Sequence, residues 1–394
     1  MNTVEFGTLF HFIRNGMNVR QDKSGAGLPI TRIETISDAI VDSSRVGYAG
    51  LRETDCADWL LQPGDILFSH INSVEHIGKC AVYRGSPEKL VHGMNLLCLR
   101  CNTSKLLPEF AKHLLRSSAF RTRLARFINK AVNQASVSIS NLKTIPVSIP
   151  PLAEQRRIAE VLDRSEALRT KRRASLAYID TLTQAIFFDF FGDPTINSRR
   201  WPTKALADLV RTDDTINYGV VQPGDDLDDG VPLIRVGDLL DGRVNHRLLK
   251  RIEPTIEEKY QRSRLRGDEI LVSCVGSIGV IALADESVQG FNIARAVARI
   301  PLSDAASRIF VAAYLQSDCV QRYFTNELRT VSQPTLNIKQ LSETPIILPP
   351  LDLQFQFAQR VATIERLKAS HNASLTKMDA LFASLQHRAF QGEL

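Results

Sequence analysis

Apolar residues recur three and four apart through two stretches of the chain, from Pro150 to Gly192 and from Pro349 to Gly392. Shifting the first by 199 positions lays Pro150 on Pro349, Pro151 on Pro350 and Gln155 on Gln354. The apolar positions coincide too: Ile158 with Phe357, Leu162 with Val361, Leu168 with Leu367, Leu176 with Leu375. Ile179 then meets Met378, Leu182 meets Leu381 and Ile186 meets Leu385. This period predicts an amphipathic helix in each stretch. The paired prolines suit a helix start, where a missing N–H costs nothing. About 38 helical residues would span roughly 57 Å, and so narrow a stripe needs a partner. The other copy is the most available one, so these positions are expected to line an antiparallel two-helix coiled coil acting as a spacer. Two unrelated amphipathic helices in separate domains are the alternative, and a register shared along the whole length argues against it.

The segments before the helices also repeat. In the first, short β-type runs at 28–33, 65–69 and 95–100 are divided by Gly, Pro, Asn and Asp, and an arginine-rich helix follows at 108–130. In the second, Gly27–Arg32 (GLPITR) is answered by Gly230–Arg235 (GVPLIR), and Gly64-Asp65 by Gly267-Asp268. Ile77-Gly78 is answered by Ile278-Gly279, and the helix returns at 307–328. The chain therefore reads as a mixed α+β protein with a pseudo-two-fold internal repeat. A domain at 1–149 is followed by a long helix at 150–194, a similar domain at 195–348 and a second long helix at 349–394.

Composition changes this picture little. A chain of 394 residues suits two domains plus the helices, and 44% hydrophobic with 23% charged residues is globular. The net charge of +6 leans only mildly toward polyanions. The opening MNTVEFGTLFHFIRNG lacks a basic start followed by an apolar run, so no secretory signal is read there. The longest uncharged run, 270–284, is too short and too polar to span a bilayer and reads as two buried strands around a turn. A soluble cytoplasmic protein is the expectation. Cys98 and Cys101 form a CxxC without a second pair at zinc-ligand spacing, so buried reduced thiols are expected there.

Two unlike domains held apart by a rigid rod could grip two ligand elements at fixed separation, as two groove segments of duplex DNA require. Base edges call for Asn, Gln, Arg, Ser and Thr, and the backbone for Lys and Arg. The candidate loops supply them. Asn15, Asn18, Arg20 and Lys23 lie in a Gly-bounded loop of the first domain, and Asn217, Tyr218 and Gln222 in the equivalent loop of the second. His70, Asn72 and Ser73 follow the Gly-Asp strand, as Ser273 and Ser277 do in the second copy. Asn133, Gln134 and Ser136 stand where Ser332, Gln333 and Thr335 stand.

On these motifs the chain resembles the specificity subunits of type I restriction-modification systems over nearly its full length. The resemblance is carried by Pro150–Gln155 (PPLAEQ), Phe187–Pro194 (FFDFFGDP), the Gly64–Leu67 strand, the Ile-Gly turn and the closing Ala389–Leu394 (AFQGEL). It implies two target-recognition domains, each reading one half of a bipartite asymmetric DNA site. It also implies long helices that set the spacing and dock two methyltransferase subunits, with restriction subunits joining that core. S-adenosylmethionine, ATP and Mg would then sit on the partner subunits, with no cofactor or metal in this chain. The second copy departs in having Leu351-Asp-Leu-Gln354 where the first has Leu152-Ala-Glu-Gln155, which puts one docking surface in doubt.

Catalytic motifs agree with a non-catalytic chain. No Asp/Asn-Pro-Pro-aromatic motif and no Gly-x-x-x-x-Gly-Lys loop is present, and Gly276–Gly279 (GSIG) is too weak for a methyl-donor loop. The competing readings are a free-standing nuclease or methyltransferase, which would turn over alone, and a scaffold that never touches DNA. The bases read, the half-site spacing and the adenines methylated are not encoded legibly, because DNA shape also contributes.

Overall fold

The computed structural model describes residues 2–37, 39–94, 96–131, 134–327 and 334–394. The chain divides into two units, one of residues 1–173 with 373–394 and the other of residues 174–372, and both long helices are shared between them.

In the first unit a four-stranded antiparallel sheet has the order Phe10–Asn15, Leu97–Cys101, Ile66–Phe68, Cys80–Val82. In the second the same order recurs as Asn217–Tyr218, Val297–Ile300, Ile270–Ser273, Ile281–Leu283, extended by Arg243–Val244 and Leu239–Leu240. The uncharged run at 270–284 is thus two paired buried strands around a turn. Each domain also closes on itself. Asn2–Glu5 pairs with Pro146–Ile149, and Thr203–Ala205 with Pro345–Ile347, so each domain ends beside its own first strand, at the two prolines that open a long helix.

The helices expected at 108–130 and 307–328 are each broken. Pro108–Arg116 and Ser118–Ala125 are separate helices, as are Arg308–Leu315 and Asp318–Glu327. At the first break Ser117 is extended, its hydroxyl donating to the Leu114 carbonyl and accepting from the Phe120 N–H at 3.2 Å, so one helix stops and the next is capped. Residues 129–131 form a strand instead of a helix end. The run at 28–33 forms isolated bridges at Ile30, beside Gly47 and Val91, where Val231–Ile234 of the second copy is a full strand.

The long helices run Leu152–Phe191 and Leu351–Gln391. In the first unit the N-terminal half of one packs against the C-terminal half of the other, with Arg169 Nε 2.6 Å from Asp379 and the Arg169 guanidinium 4.3 Å over the Phe382 ring. In the second unit the remaining halves meet, with Lys368 Nζ 2.6 Å from Asp180 and Phe187 edge-on to Phe357. Both contacts run antiparallel. The repeat carries the ion pair with it, since Arg169 shifts by 199 onto Lys368 and Asp180 onto Asp379.

Four positions assigned to the helix pairing fall outside it. Leu168, Leu182, Leu367 and Leu381 are 52%, 39%, 45% and 56% exposed, while Ile158, Leu162, Ile179 and Phe357 are buried. Leu176, Ile186, Val361, Leu375, Met378 and Leu385 are half-buried. The inward positions follow a strict four-three alternation through Leu162, Ser165, Arg169, Arg172, Leu176, Ile179 and Thr183. Leu168 and Leu182 each precede a seam position by one residue, a rotation of about 100°. Arg169, Thr183, Lys368 and Phe382 take the places that apolarity alone assigns to the leucines.

The duplicated glutamines root the helices. Gln155 is buried; its Oε1 accepts from the Leu107 N–H at 2.9 Å and its Nε2 donates to the carbonyls of Lys105 (2.8 Å) and Pro150 (3.0 Å). Gln354 accepts from the Ser307 N–H at 2.8 Å and donates to the Pro349 carbonyl at 2.8 Å. Leu107 and Ser307 are the N-caps of the helices at 108–116 and 308–315, so one side chain joins two helix starts. Of the phenylalanines that close the first helix, Phe187 and Phe191 are core residues, packed against Phe310 with ring centroids 5.7 and 4.8 Å away, while Phe188 is exposed. No helix among the described residues is long and apolar enough to cross a membrane.

Replacing Gln155 or Gln354 with Ala strands buried N–H and C=O groups and is expected to cost about 1–3 kcal/mol, read as a lower denaturant midpoint. Leu176→Lys should destabilise by roughly 0.5–3 kcal/mol while Leu182→Lys leaves the midpoint within about 0.5 kcal/mol. Equal effects would place Leu182 in the seam after all.

Candidate nucleic-acid interface

The candidate segments converge at one end of each sheet. In the first unit the chain leaves strand Ile66–Phe68 through Ser69 and His70, forms the short strand Ile71–Asn72 and turns back at Gly78. Asn72 pairs with Ala135 and Ile71 with Ser136, and the strand Gln134–Ser136 pairs in turn with Asn129–Ala131. The His70–Ser73 and Gln134–Ser136 segments, far apart in sequence, therefore share one three-stranded sheet. In the second unit Thr335 bridges to Val275, and the Leu336 N–H donates to the Cys274 carbonyl at 3.0 Å, just as the Val137 N–H donates to that of His70 at 2.9 Å. Asn133, Ser332 and Gln333 lie outside the described residues.

The returning turns are held alike. Gly78 and Gly279 have φ of +82° and +80°, where an L side chain is strained. Arg121 Nη2 donates to the Ile77 carbonyl at 3.3 Å, and Gln321 Nε2 to that of Gly279 at 3.0 Å. The loops that carry the remaining candidates are also pinned through backbone. The Met17 N–H donates to the His92 carbonyl and the Val220 N–H to the Ile293 carbonyl, each at 2.7 Å. A Cβ on Gly16 would fall 2.2 Å from the Gly93 carbonyl carbon, and one on Gly219 1.6 Å from the Ile293 oxygen, so both approaches require glycine.

Hydrogen bonding separates candidates that present their side chains outward from those engaged in holding the loop. Asn15, Asn18, Arg20, Lys23, Ser73, Gln134, Gln222 and Ser277 are exposed, and Ser136 is half-buried. Asn72 accepts from the Ser73 N–H at 2.8 Å and donates to Ser69 Oγ at 3.3 Å. Asn217 donates to the carbonyls of Thr215 (3.0 Å) and Arg262 (3.1 Å). The Tyr218 hydroxyl donates to the Leu336 carbonyl at 2.7 Å, fixing the segment beside Thr335, and burial pushes that phenol up to about 12. Ser273 is fully buried and bonds across its own turn, donating to the Ser277 carbonyl and accepting from the Val280 N–H at 2.8 Å. His70 is buried, which lowers its imidazole to about 4 and keeps it neutral.

Two exposed polar residues next to this surface, Asn129 and Lys130, went unnoticed in the sequence because they sat at the end of an expected helix. The Ser117 break was the signal for them, since a helix ending by Ala125 leaves room for a strand.

The buried carboxylates are structural. Asp65 forms a two-pronged pair with Arg100 at 2.8 and 2.7 Å. Glu269, not its neighbour Asp268, plays this part in the second copy, pairing with Arg299 at 2.9 Å while Asp268 is exposed. Cys98 and Cys101 face different apolar clusters, and burial pushes both thiols well up, as expected for inert cysteines.

Among the described residues the ligand atoms of His113, Asp163 and Glu166 lie within 4.8 Å of one another. Cations already serve these carboxylates: Lys112 Nζ is 2.5 Å from Asp163 and Arg116 Nη1 is 2.7 Å from Glu166. The group is a charge cluster that binds the 108–116 helix to the first long helix. Burial lowers the His113 imidazole, so it is neutral and donates through Nε2 to Asp163 at 2.6 Å. Burial alone would raise the Asp163 carboxyl, but hydrogen bonds from His113 and Lys112 outweigh it and hold it at about 2.

With this geometry in place the family is clear. The family model described as type I restriction modification DNA specificity domain matches residues 1–177 and again 198–377, and the chain belongs to that family. Among curated relatives it is 46% identical, over 159 residues, to the putative type I restriction enzyme MjaX specificity subunit of Methanocaldococcus jannaschii, covering 40% of this chain and 37% of that protein. It is 32% identical, over 297 residues, to the type I restriction enzyme EcoBI specificity subunit of Escherichia coli, covering 66% of this chain and 62% of that protein. The chain thus matches 37% and 62% of the lengths of these two relatives. The fold is shared with the crystal structure of the type I restriction-modification S subunit from M. genitalium, with a TM-score of 0.58 and 14% identity over 99% of this chain and 96% of that one. A chain from a structural study of complex assembly and conformational transition in the type I R-M system also shares it, with a TM-score of 0.58 and 17% identity over 100% of this chain and 98% of that one.

His113 and Asp163 both titrate below their ordinary values in the fold, so the unfolded chain binds the extra protons and stability rises with pH. Protection of the first unit in hydrogen exchange should therefore weaken as pH falls below 6.5, and again from 3.8 toward about 2. Asp163→Asn should abolish the lower step, and its persistence would assign that step elsewhere.

Proposed function

We propose that this chain is the DNA-reading specificity subunit of a type I restriction-modification enzyme and is not catalytic by itself. Residues 1–149 and 195–348 are its two target-recognition domains, each reading one half of a bipartite asymmetric site. The long helices at 150–194 and 349–394 set the spacing and dock two methyltransferase subunits, and restriction subunits join that assembly. S-adenosylmethionine, ATP and Mg belong to those partners, and the assembly works in the cytoplasm.

The observation that carries this reading is a duplicated scaffold whose two reading surfaces differ. The sheets, glutamine clasps and glycine turns repeat, while the exposed loop residues Asn18, Arg20 and Lys23 of one copy are answered by Gln222 in the other. Identical readers would suit a palindrome, whereas unlike readers suit an asymmetric site. Support for two docked partners comes from the exposed leucines. Leu168 and Leu381 lie in the first unit and Leu182 and Leu367 in the second, so each unit offers the same pair outside the helix seam.

The full chain, co-expressed with the modification subunits of its host, should methylate one gapped, asymmetric motif genome-wide. Gln134→Ala or Ser136→Ala should relax one half of that motif only, and Thr335→Ala or Gln333→Ala the other, at about 1–3 kcal/mol per lost base contact. Loss spread equally over all sequences would make these residues backbone contacts. Turnover by the isolated chain, or assemblies that bind specific and random duplexes alike, would overturn the function itself. Leu168→Asp combined with Leu381→Asp should leave one methyltransferase subunit bound in native mass spectrometry where the parent binds two.

A further inference from the structure

The three-stranded sheet of the first unit holds an arrangement beyond that reading. In an antiparallel ladder, directly opposed residues share a face and alternate residues along a strand do too. Ser136 opposes both Asn129 and Ile71, and Gln134 lies two residues from Ser136, so these four share one face. Ala135, between them, points the other way and is buried, which seats the strand on the core. Asn129 and Gln134 are exposed, and neither carboxamide is engaged among the described residues. With Lys130 they border a hollow of about 240 Å³.

A two-stranded ribbon is one of the two protein elements that the major groove admits. A carboxamide offers one donor and one acceptor side by side. Adenine presents the complementary pair in that groove, the N7 acceptor and the N6 amino donor, whereas guanine presents two acceptors, N7 and O6. The half-buried Ile71 on the same face supplies apolar surface of the kind that meets a thymine methyl. Lys130 is a point charge suited to phosphate.

We infer that the ribbon of Asn129–Ala131 and Gln134–Ser136 enters the major groove of the half-site read by the first unit, where Asn129 and Gln134 specify adenine. The inference rests on the chain being a DNA specificity subunit, and it adds Asn129, the ribbon and the base to that reading. Lys130 positions the ribbon on the backbone without reading sequence.

The test uses the full chain assembled with its modification subunits. A pool of randomised duplexes first identifies the preferred site, and each adenine of that site is then replaced singly by 7-deazaadenine, which lacks the N7 acceptor. The parent assembly should lose about 5- to 150-fold in affinity, the range of one good base contact, at an adenine of one half-site. Gln134→Ala or Asn129→Ala should bind the natural site more weakly by a similar factor and become insensitive to 7-deazaadenine at that one position. Lys130→Ala should weaken specific and random duplexes alike and lower the salt slope by about one.

Retention by both alanine variants of the parent's full sensitivity to 7-deazaadenine would overturn the inference. So would a preference relaxed at a guanine, or a loss shared equally by random duplexes. A parent assembly that selects no sequence at all would sink the specificity reading as well, an outcome separable from failure of the ribbon alone. Because Asn129 and Gln134 are exposed, their substitution leaves the buried core intact.

Discussion

Two buried carboxamides hold this architecture together. Gln155 and Gln354 each sit where a long helix begins, and each bonds both its own preceding prolyl carbonyl and the N-cap of the helix that crosses it. A carboxamide can do this because it carries an acceptor and two donors in a fixed plane, and inside a protein every such group must find a partner. The result is a joint with a specified angle between recognition domain and helix, made twice with the same chemistry. The strand pairs that close each domain place its chain ends at that joint.

Around the shared joint the two copies have solved packing differently. In the first unit the helix at 108–116 presents Lys112, His113 and Arg116 to Asp163 and Glu166, with His113 6.4 Å from the Phe382 ring. The corresponding positions in the second unit, counted from the paired N-caps Leu107 and Ser307, are Ala312, Ala313 and Gln316. There a groove of about 960 Å³ opens beside Ala312, Ala362 and Thr183. Buried ion clusters depend strongly on complete pairing, since losing one partner leaves a desolvated charge. The attachment of the first domain therefore rests on paired charges, while that of the second rests on apolar contact.

Much of the plan was legible in the chain. The duplication, the long paired helices, the buried strands at 270–284 and the inert cysteines all follow from periodicity and local chemistry. Apolarity alone assigns Leu168, Leu182, Leu367 and Leu381 to the seam, yet all four are exposed. A cation can fill a seam position when it stacks on an aromatic ring and meets an aspartate, as Arg169 does. Likewise, the repeat of Gly64-Asp65 as Gly267-Asp268 does not show that Arg299 pairs with Glu269 where Arg100 pairs with Asp65.

The candidate surface divides along the same line. Residue types alone mark Gln134, Ser136 and Thr335 as polar residues in loops, and the repeat marks Ser136 and Thr335 as equivalent. That His70–Asn72 and Gln134–Ser136 belong to one sheet is a matter of pairing between segments more than sixty residues apart, which no local pattern encodes. Nor does the chain disclose that Tyr218, Asn217 and Ser273 spend their hydrogen bonds on the scaffold while Gln134 and Asn129, among the described residues, keep theirs. What the sequence determined by itself was periodic: elements, copies and joints, each set by neighbours three, four or 199 positions away. What only the tertiary structure decided was which side chains are already satisfied, because a hydrogen bond depends on distance in space and not along the chain.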